Sequence, residues 1–511
     1  MSLRKRIIVN AGSNGAGMVV AAAVGLVLIP IIWRDLGVAG FGVWALLSTG
    51  LRYPMILERA FSLSTNRFVA FYRDDENQLN RFVSASFAIL LAIAVLTVAA
   101  AVLLSFFIAD IFTAITDQLA GDARITCILV GVTLAFKILE GTFSGALRGY
   151  QYHTRSNAVV IAANLLRAFL TVGLLAFWKS MIAVQLAFAI AAAVSALLMF
   201  FVARKTISAL RIDILKFKTE TLRELLRFTG HATARSGSTI FMYSTIALLV
   251  GKAGTAEDMA VYDVASRIPG FVRGFLAGAQ NVFLPAVTGL HANGQIEKIK
   301  AVVKKGAHVS SAATCASLIL LFVFAEEILV FWLKGVVRPG TVLVMRLLIV
   351  SAIPRGLFGI WLPSLVGIGH LRGLTVAAIL AAVSAIVLVL ILLQGFVAIP
   401  IPMAPAIALV AVLWAHIGLW LPLYGLYKLG IRPYEYLRES LLTPLTAALV
   451  SIAALSVFNR HVVPKDSVHW SVMLIVSAAV VAVSFTAISL RKETADLVVA
   501  ARRRFESRRQ H

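Results

Sequence analysis

Charge is what this sequence has least of. Asp, Glu, Lys and Arg make up 14% of its 511 residues, and 60% of the chain is hydrophobic. A soluble domain carries about 25% charged residues. The shortage excludes a soluble globular protein and leaves a polytopic membrane protein. Acidic residues are the scarcer sign, 24 against 47 Lys and Arg, for a net charge of +23. The basic residues sit between hydrophobic runs, so the surplus does not indicate a nucleic-acid partner. The two cysteines, Cys127 and Cys315, lie inside apolar runs, which excludes a disulfide framework and a cysteine metal site. Catalytic signatures are missing as well: no HExxH, no nucleophile elbow, no phosphate-binding loop and no dinucleotide fingerprint. With short loops between apolar runs, no enzyme, metal or organic cofactor is expected.

Long apolar runs are what is there. A bilayer core needs about 20 mostly apolar residues per helix. At that length the chain gives an all-α protein of about fourteen spans: 10–33, 38–58, 83–109, 123–147, 157–178, 180–202, 228–250, 258–286, 306–333, 340–366, 373–395, 401–427, 440–459 and 469–490. The second, fourth, seventh and eighth are the least apolar. With the N-terminus in the cytoplasm, the inner loops and tails collect most of the Lys and Arg, so both termini are expected there. The basic start, Met1 to Arg6, is not read as a signal peptide, because the first span has an equivalent in the second half. The basic tail at 501–509 is expected to anchor on anionic inner-leaflet lipids.

The middle stretch, Ala203 to Arg227, is too polar to cross a bilayer. It carries Arg204, Lys205, Arg211, Lys216, Lys218, Arg223 and Arg227, with Ile207, Leu210, Ile214 and Leu215 at roughly helical spacing. That pattern suits either a basic amphipathic helix on an anionic membrane face or an ordinary cytoplasmic loop. It separates related halves. A shift of 217 places Gly37-Val-Ala39 on Gly254-Thr-Ala256 and Asn77-Gln-Leu79 on Gly294-Gln-Ile296; a shift of 218 places Leu147-Arg-Gly149 on Leu365-Val-Gly367. The expected organisation is a six-helix half at 1–202, the linker at 203–227, a second six-helix half at 228–430, and two extra helices with a basic tail at 431–511. An even number of spans per copy makes the repeat parallel, with a substrate path expected between the copies.

Cations inside the spans are the candidate chemistry: Arg52, Lys137, Arg167, Arg235, Arg267, Arg273, Arg346 and Arg355. A central Arg or Lys costs about 2.5–3.5 kcal/mol against lipid, so most are expected to face protein or water. Counted along their helices, all but Arg346 fall at mid-depth or in the inner half. A shift of 217 carries Arg52 to position 269, between Arg267 and Arg273. The ligand expected for such a chamber is an anion, and arginine's planar fork suits phosphate. Arg52, Lys137, Arg167, Arg267, Arg273 and Arg355 are the substrate-binding candidates. Structural alternatives stay open. Arg235 and Arg273 could snorkel to lipid phosphates, Arg346 fits an outer-interface anchor, and Lys137–Glu140 and Asp263–Arg267 are spaced for ion pairs. Glu140 and Asp263 are the candidates for carrying a coupling ion.

The segment Leu36-Gly-Val-Ala-Gly-Phe-Gly-Val-Trp-Ala45 resembles an outer turn of polysaccharide exporters. Leu147-Arg-Gly-Tyr-Gln151 resembles their turn after the fourth span. Together with the span count and the two halves, these make nearly the whole chain similar to the Wzx-like lipid-linked oligosaccharide flippases, within the multidrug/oligosaccharidyl-lipid/polysaccharide exporter superfamily. The resemblance implies a carrier in the bacterial inner membrane. Such a carrier turns undecaprenyl-pyrophosphate-linked sugars to the outer leaflet by alternating access, coupled to a proton or sodium gradient or the membrane potential. A polysaccharide polymerase and glycosyltransferases are then the expected partners. Lipid II flippases place arginines on the first, second and eighth spans. This chain matches at Arg52 and at Arg267 and Arg273 but has none inside its first span, which argues against lipid II as the substrate. The rival readings are a cation-coupled multidrug antiporter of the same superfamily, which needs more buried acids than this chain has, and a non-transporting membrane scaffold.

Overall fold

In a bilayer, backbone polar groups have no water to bond, so a chain crosses as helices or as a closed barrel. In the computed structural model every regular element among the described residues is helical. Those residues are 3–50, 52–213, 219–335, 337–395 and 398–461, with 477, 479, 481 and 483–485. The expected span at 469–490 and the basic tail at 501–509 lie largely or wholly outside them.

The helices of the first half are α1 (Leu3–Gly50), α2 (Pro54–Phe71), α3 (Glu76–Ile111), α4 (Asp117–Gly149), α5 (His153–Phe177) and α6 (Met181–Thr206). Next come α7 (Thr219–Ala253), α8 (Ala256–Asn281), α9 (Phe283–Ala292), α10 (Ile296–Val323), α11 (Ala325–Trp332), α12 (Thr341–Phe358), α13 (Trp361–Gly367) and α14 (Leu371–Leu393). α15 (Met403–Leu413) and α16 (Leu421–Leu429) are joined by a π-helical stretch, Trp414–Trp420. Pro422 offers no N–H to the carbonyl four residues back. Just before it, Leu421 N–H bonds His416 O, five residues back, which is the wider turn of the π-helix. Ten helices among the described residues are long and apolar enough to cross a membrane. α7 and α8 are continuous helices that fall outside that set.

By contacts the chain forms two units. One is Met1–Asp263 with Ala378–Pro405, and the other is Val264–Ala377 with Ala406–His511. In the first, α4 packs on α2, α3 and α6. Its face toward α2 is a glycine row one turn apart. A Cβ on Gly141 would stand 2.6 Å from Glu58 Oε1, one on Gly145 2.6 Å from Ser62 O, and one on Gly149 2.7 Å from Val69 Cγ1. Only glycine lets the helices approach so closely. In the second unit Trp361, Leu365, Phe324 and Leu421 share one core.

Two expectations need correction. The second span does not run unbroken over 38–58. α1 is kinked at Gly37 (φ 70°, ψ 172°) and ends at Gly50, and α2 starts afresh with Pro54 in its first turn. Proline lacks the donor that a continuing helix would need there but suits a helix start. The stretch 203–227 is not one amphipathic helix either. α6 runs to Thr206, an irregular strap follows through Asp213, residues 214–218 lie outside the described set, and α7 begins at Thr219. The strap is tied to α3: Asn80 Nδ2 donates to Ala209 O at 2.7 Å, Arg211 N donates to Asn80 Oδ1 at 2.7 Å, and Asp213 N donates to Ser84 Oγ at 2.9 Å. Ile207 and Leu210 bury themselves in the protein core with Leu79 and Met199, because that surface removes them from water as well as lipid would.

The repeat is visible bond by bond. α4 ends where Tyr152 N donates to Leu147 O at 2.8 Å and Gln151 N to Arg148 O at 2.9 Å; α13 ends where His370 N donates to Leu365 O at 2.9 Å and Gly369 N to Val366 O at 3.1 Å. All four pairs keep the 218-residue offset. Gln151 and Gly369 both take positive φ, 64° and 88°. Gly149 meets Val69, and Gly367 meets Val287, again 218 apart. Each is a helix end with a left-handed closing residue.

Candidate functional site

Within the first unit, α4, α5 and α6 enclose a pocket of about 50 Å³. Its opening depends on small residues: Ala163 on α5 and Ala191 and Ala192 on α6 leave the space. Four polar side chains converge there. Thr133 and Lys137, one turn apart, come from α4; Asn164 and Arg167, three positions apart, come from α5. Spacings of three and four put each pair on one helix face. Phe188 of α6 forms an apolar wall.

The Lys137 ammonium pairs with Glu140 at 2.9 Å; the side chains are 36% and 7% exposed. The lysine thus neutralises a buried acid and still reaches the pocket. The Arg167 guanidinium lies 4.9 Å over the Phe188 ring, a cation–π contact. Phe188 in turn meets Trp44 edge-on at 5.7 Å. Trp44 Nε1 donates to Gln185 Oε1 at 3.3 Å, and Gln185 Nε2 donates to Thr133 Oγ1 at 2.8 Å. The Thr133 hydroxyl donates to Leu129 O at 2.7 Å. A relay therefore runs from α1 through α6 to the pocket wall on α4. Trp44 belongs to the motif in which Gly37 kinks α1 and Gly42 lies against Ala256 O.

The remaining candidates do not line this pocket. Arg52 is exposed and sits in the break between α1 and α2, its N–H bonded to Thr49 O and its carbonyl to Met55 N. It is not a mid-helix residue. Beside it, Tyr53 Oη and Thr245 Oγ1 are 2.9 Å apart. Asp263 is buried, at 5% exposure. Arg267, Arg273 and Arg355 are half-buried in the second unit, where the Arg355 carbonyl accepts from Gln280 Nε2 at 3.0 Å. Arg346 lies 5.7 Å over Phe322. The Arg235 side chain is outside the described set. Among the described residues no three His, Cys, Asp or Glu gather as a metal site. Thr133, Asn164, Gln185 and Phe188 escape a reading of the sequence built on charge; Thr133 and Asn164 are signalled by their helical spacing from Lys137 and Arg167, and Gln185 and Phe188 on α6 carry no such signal.

Comparison with curated proteins gives no match. Among solved structures, the lipid II flippase MurJ in an inward closed conformation is 14% identical, with 95% of this chain and 100% of that one covered and a TM-score of 0.70. An inward-facing multidrug resistance MATE transporter of the MOP superfamily is 14% identical, with coverage of 81% and 99% and a TM-score of 0.66. A MOP superfamily transporter from Pyrococcus furiosus is also 14% identical, with coverage of 82% and 95% and a TM-score of 0.57. These likenesses are of fold. Residues 72–334, just over half the chain, match the family described as "Polysaccharide biosynthesis protein". The chain belongs to that polysaccharide biosynthesis family and is a multi-pass membrane protein with the fold of MOP-superfamily transporters.

Proposed function

We propose that the protein is a flippase that carries an undecaprenyl-pyrophosphate-linked oligosaccharide across the bacterial inner membrane for O-antigen, capsule or exopolysaccharide synthesis. The observation that carries this reading is the convergence of Lys137 and Arg167 on one pocket inside a membrane-helix bundle. Cations placed there cost free energy against lipid, and an anionic ligand offsets it. A phosphate or diphosphate fits: the ammonium supplies a point charge and the guanidinium a flat donor fork. The family and the fold support the same reading. Arg52, Arg267, Arg273 and Arg355 are proposed as further stations for the headgroup, and Glu140 and Asp263 as groups that couple transport to protons or sodium. The loop charges support a cytoplasmic position for both termini.

The test is complementation in a bacterium that lacks its own flippase. The wild-type chain should restore surface polysaccharide. The double variant Lys137→Ala, Arg167→Ala should fail to do so at equal membrane abundance. Full restoration by the double variant removes the pocket from the transport path.

A further inference from the structure

The pocket holds more than positive charge. A threonine hydroxyl has one proton to give and two lone pairs to accept with. The Thr133 proton goes to Leu129 O at 2.7 Å. One lone pair is taken by the Gln185 amide at 2.8 Å. The group Thr133 has left is therefore an acceptor. Gln185 is fixed at its other end by Trp44 Nε1 at 3.3 Å and is only 2% exposed, so the hydroxyl is held in that orientation. Asn164 donates one Nδ2 hydrogen to Val160 O at 2.9 Å, which leaves its carbonyl oxygen as a second acceptor beside one remaining N–H. Lys137 and Arg167 thus share the pocket with Thr133 and Asn164 acceptors. A bare anion satisfies the cations but meets lone pairs at the acceptors. A ligand with a hydroxyl next to its anion satisfies both.

We propose that the pocket reads a sugar through an anionic group and an adjoining hydroxyl, with Thr133, oriented by Gln185, as the hydroxyl-reading residue. This rests on the reading of the pocket as the substrate's anion site. About 50 Å³ leaves room for roughly four groups the size of a water molecule, enough for an anion and its neighbouring hydroxyl. The same chemistry comes from two sources: the sugar phosphate at the lipid linkage, or the carboxylate of an acidic sugar within the glycan.

Titration calorimetry on the purified full-length protein in detergent distinguishes them. The probe pairs are glucose 1-phosphate against methyl phosphate, and glucuronate against acetate. One sugar should bind about tenfold more tightly than its hydroxyl-free partner, as one added hydrogen bond gives, and the pair showing this names the source. Thr133→Val should bring that ratio close to one, Thr133→Ser should keep it, and Gln185→Leu should lower it. Thermal melts of each variant separate a lost contact from a lost fold. A wild-type ratio near one, or a tenfold ratio surviving in folded Thr133→Val, overturns the proposal while leaving the anion site standing. Failure of all four probes to bind the wild type overturns the anion site and this proposal with it.

Discussion

The Lys137 ammonium stands 2.9 Å from the Glu140 carboxylate, one turn along α4, and the same lysine lines the pocket it shares with Arg167. The two ends of this pair are unequally buried, 36% exposed at the lysine and 7% at the glutamate. Removing the lysine strands a buried carboxylate, whereas removing the glutamate's charge leaves an ammonium that can turn to the pocket. Lys137→Met should therefore lower stability by about 1–2 kcal/mol, discounted for the lysine's partial exposure, and Glu140→Gln by less than about 1 kcal/mol. Glu140→Gln should also tighten anion binding. Thermal melts in detergent check the order; equal losses would mean that the pair is not asymmetric.

The close approach of α4 to α2 at Gly149 and Val69 is matched at Gly367 and Val287. Gly149→Val and Gly367→Val should each cost about 1–3 kcal/mol by overpacking. Gly15→Ala is the control: it lies exposed on α1 with nothing within 4 Å of an added Cβ, and it should be neutral or stabilising by about 0.5–1 kcal/mol. The check is the midpoint of thermal unfolding. A loss at only one of the two matched positions would mean that the halves do not share this packing.

Gln151 occupies a backbone conformation that glycine adopts freely, and its counterpart 218 positions on, Gly369, is a glycine. Gln151→Gly should stabilise the protein by about 1 kcal/mol, and Gly369→Gln should destabilise it by about as much. Opposite shifts in melting temperature are the expected result.

The Trp44 indole holds Gln185 from α1. Trp44→Phe keeps the ring but leaves the buried Gln185 oxygen without its donor, at a cost of about 1–3 kcal/mol. Sugar preference at the pocket should fall with it. A stability loss with an unchanged binding ratio would confine Trp44 to packing.

Much of the fold is legible in the chain because long apolar runs leave few alternatives to a helix. The repeat is legible because Gly149 and Gly367 each sit at a close approach, to Val69 and to Val287, that leaves little room for a side chain. Arg52 is misplaced by hydropathy alone, since an apolar run hides the break that Pro54 enforces. The strap after α6 misleads for another reason. Ile207 and Leu210 have the spacing of an amphipathic helix, but Asn80 and Ser84 capture its backbone from a helix some 130 residues away. At the site, Lys137 and Arg167 announce themselves by charge. Thr133 and Gln185 are neutral, and only the packing of α6 on α4 gives them a role.

The most direct measurement is flipping in proteoliposomes containing the purified protein and a fluorescent polyprenyl-pyrophosphate-linked sugar, read as the fraction that becomes accessible to an external quencher. Wild-type protein should move the lipid well above the protein-free rate, and Lys137→Ala with Arg167→Ala should bring it to within about tenfold of that background. Equal rates for wild type and the double variant would contradict an export path that runs through these two cations.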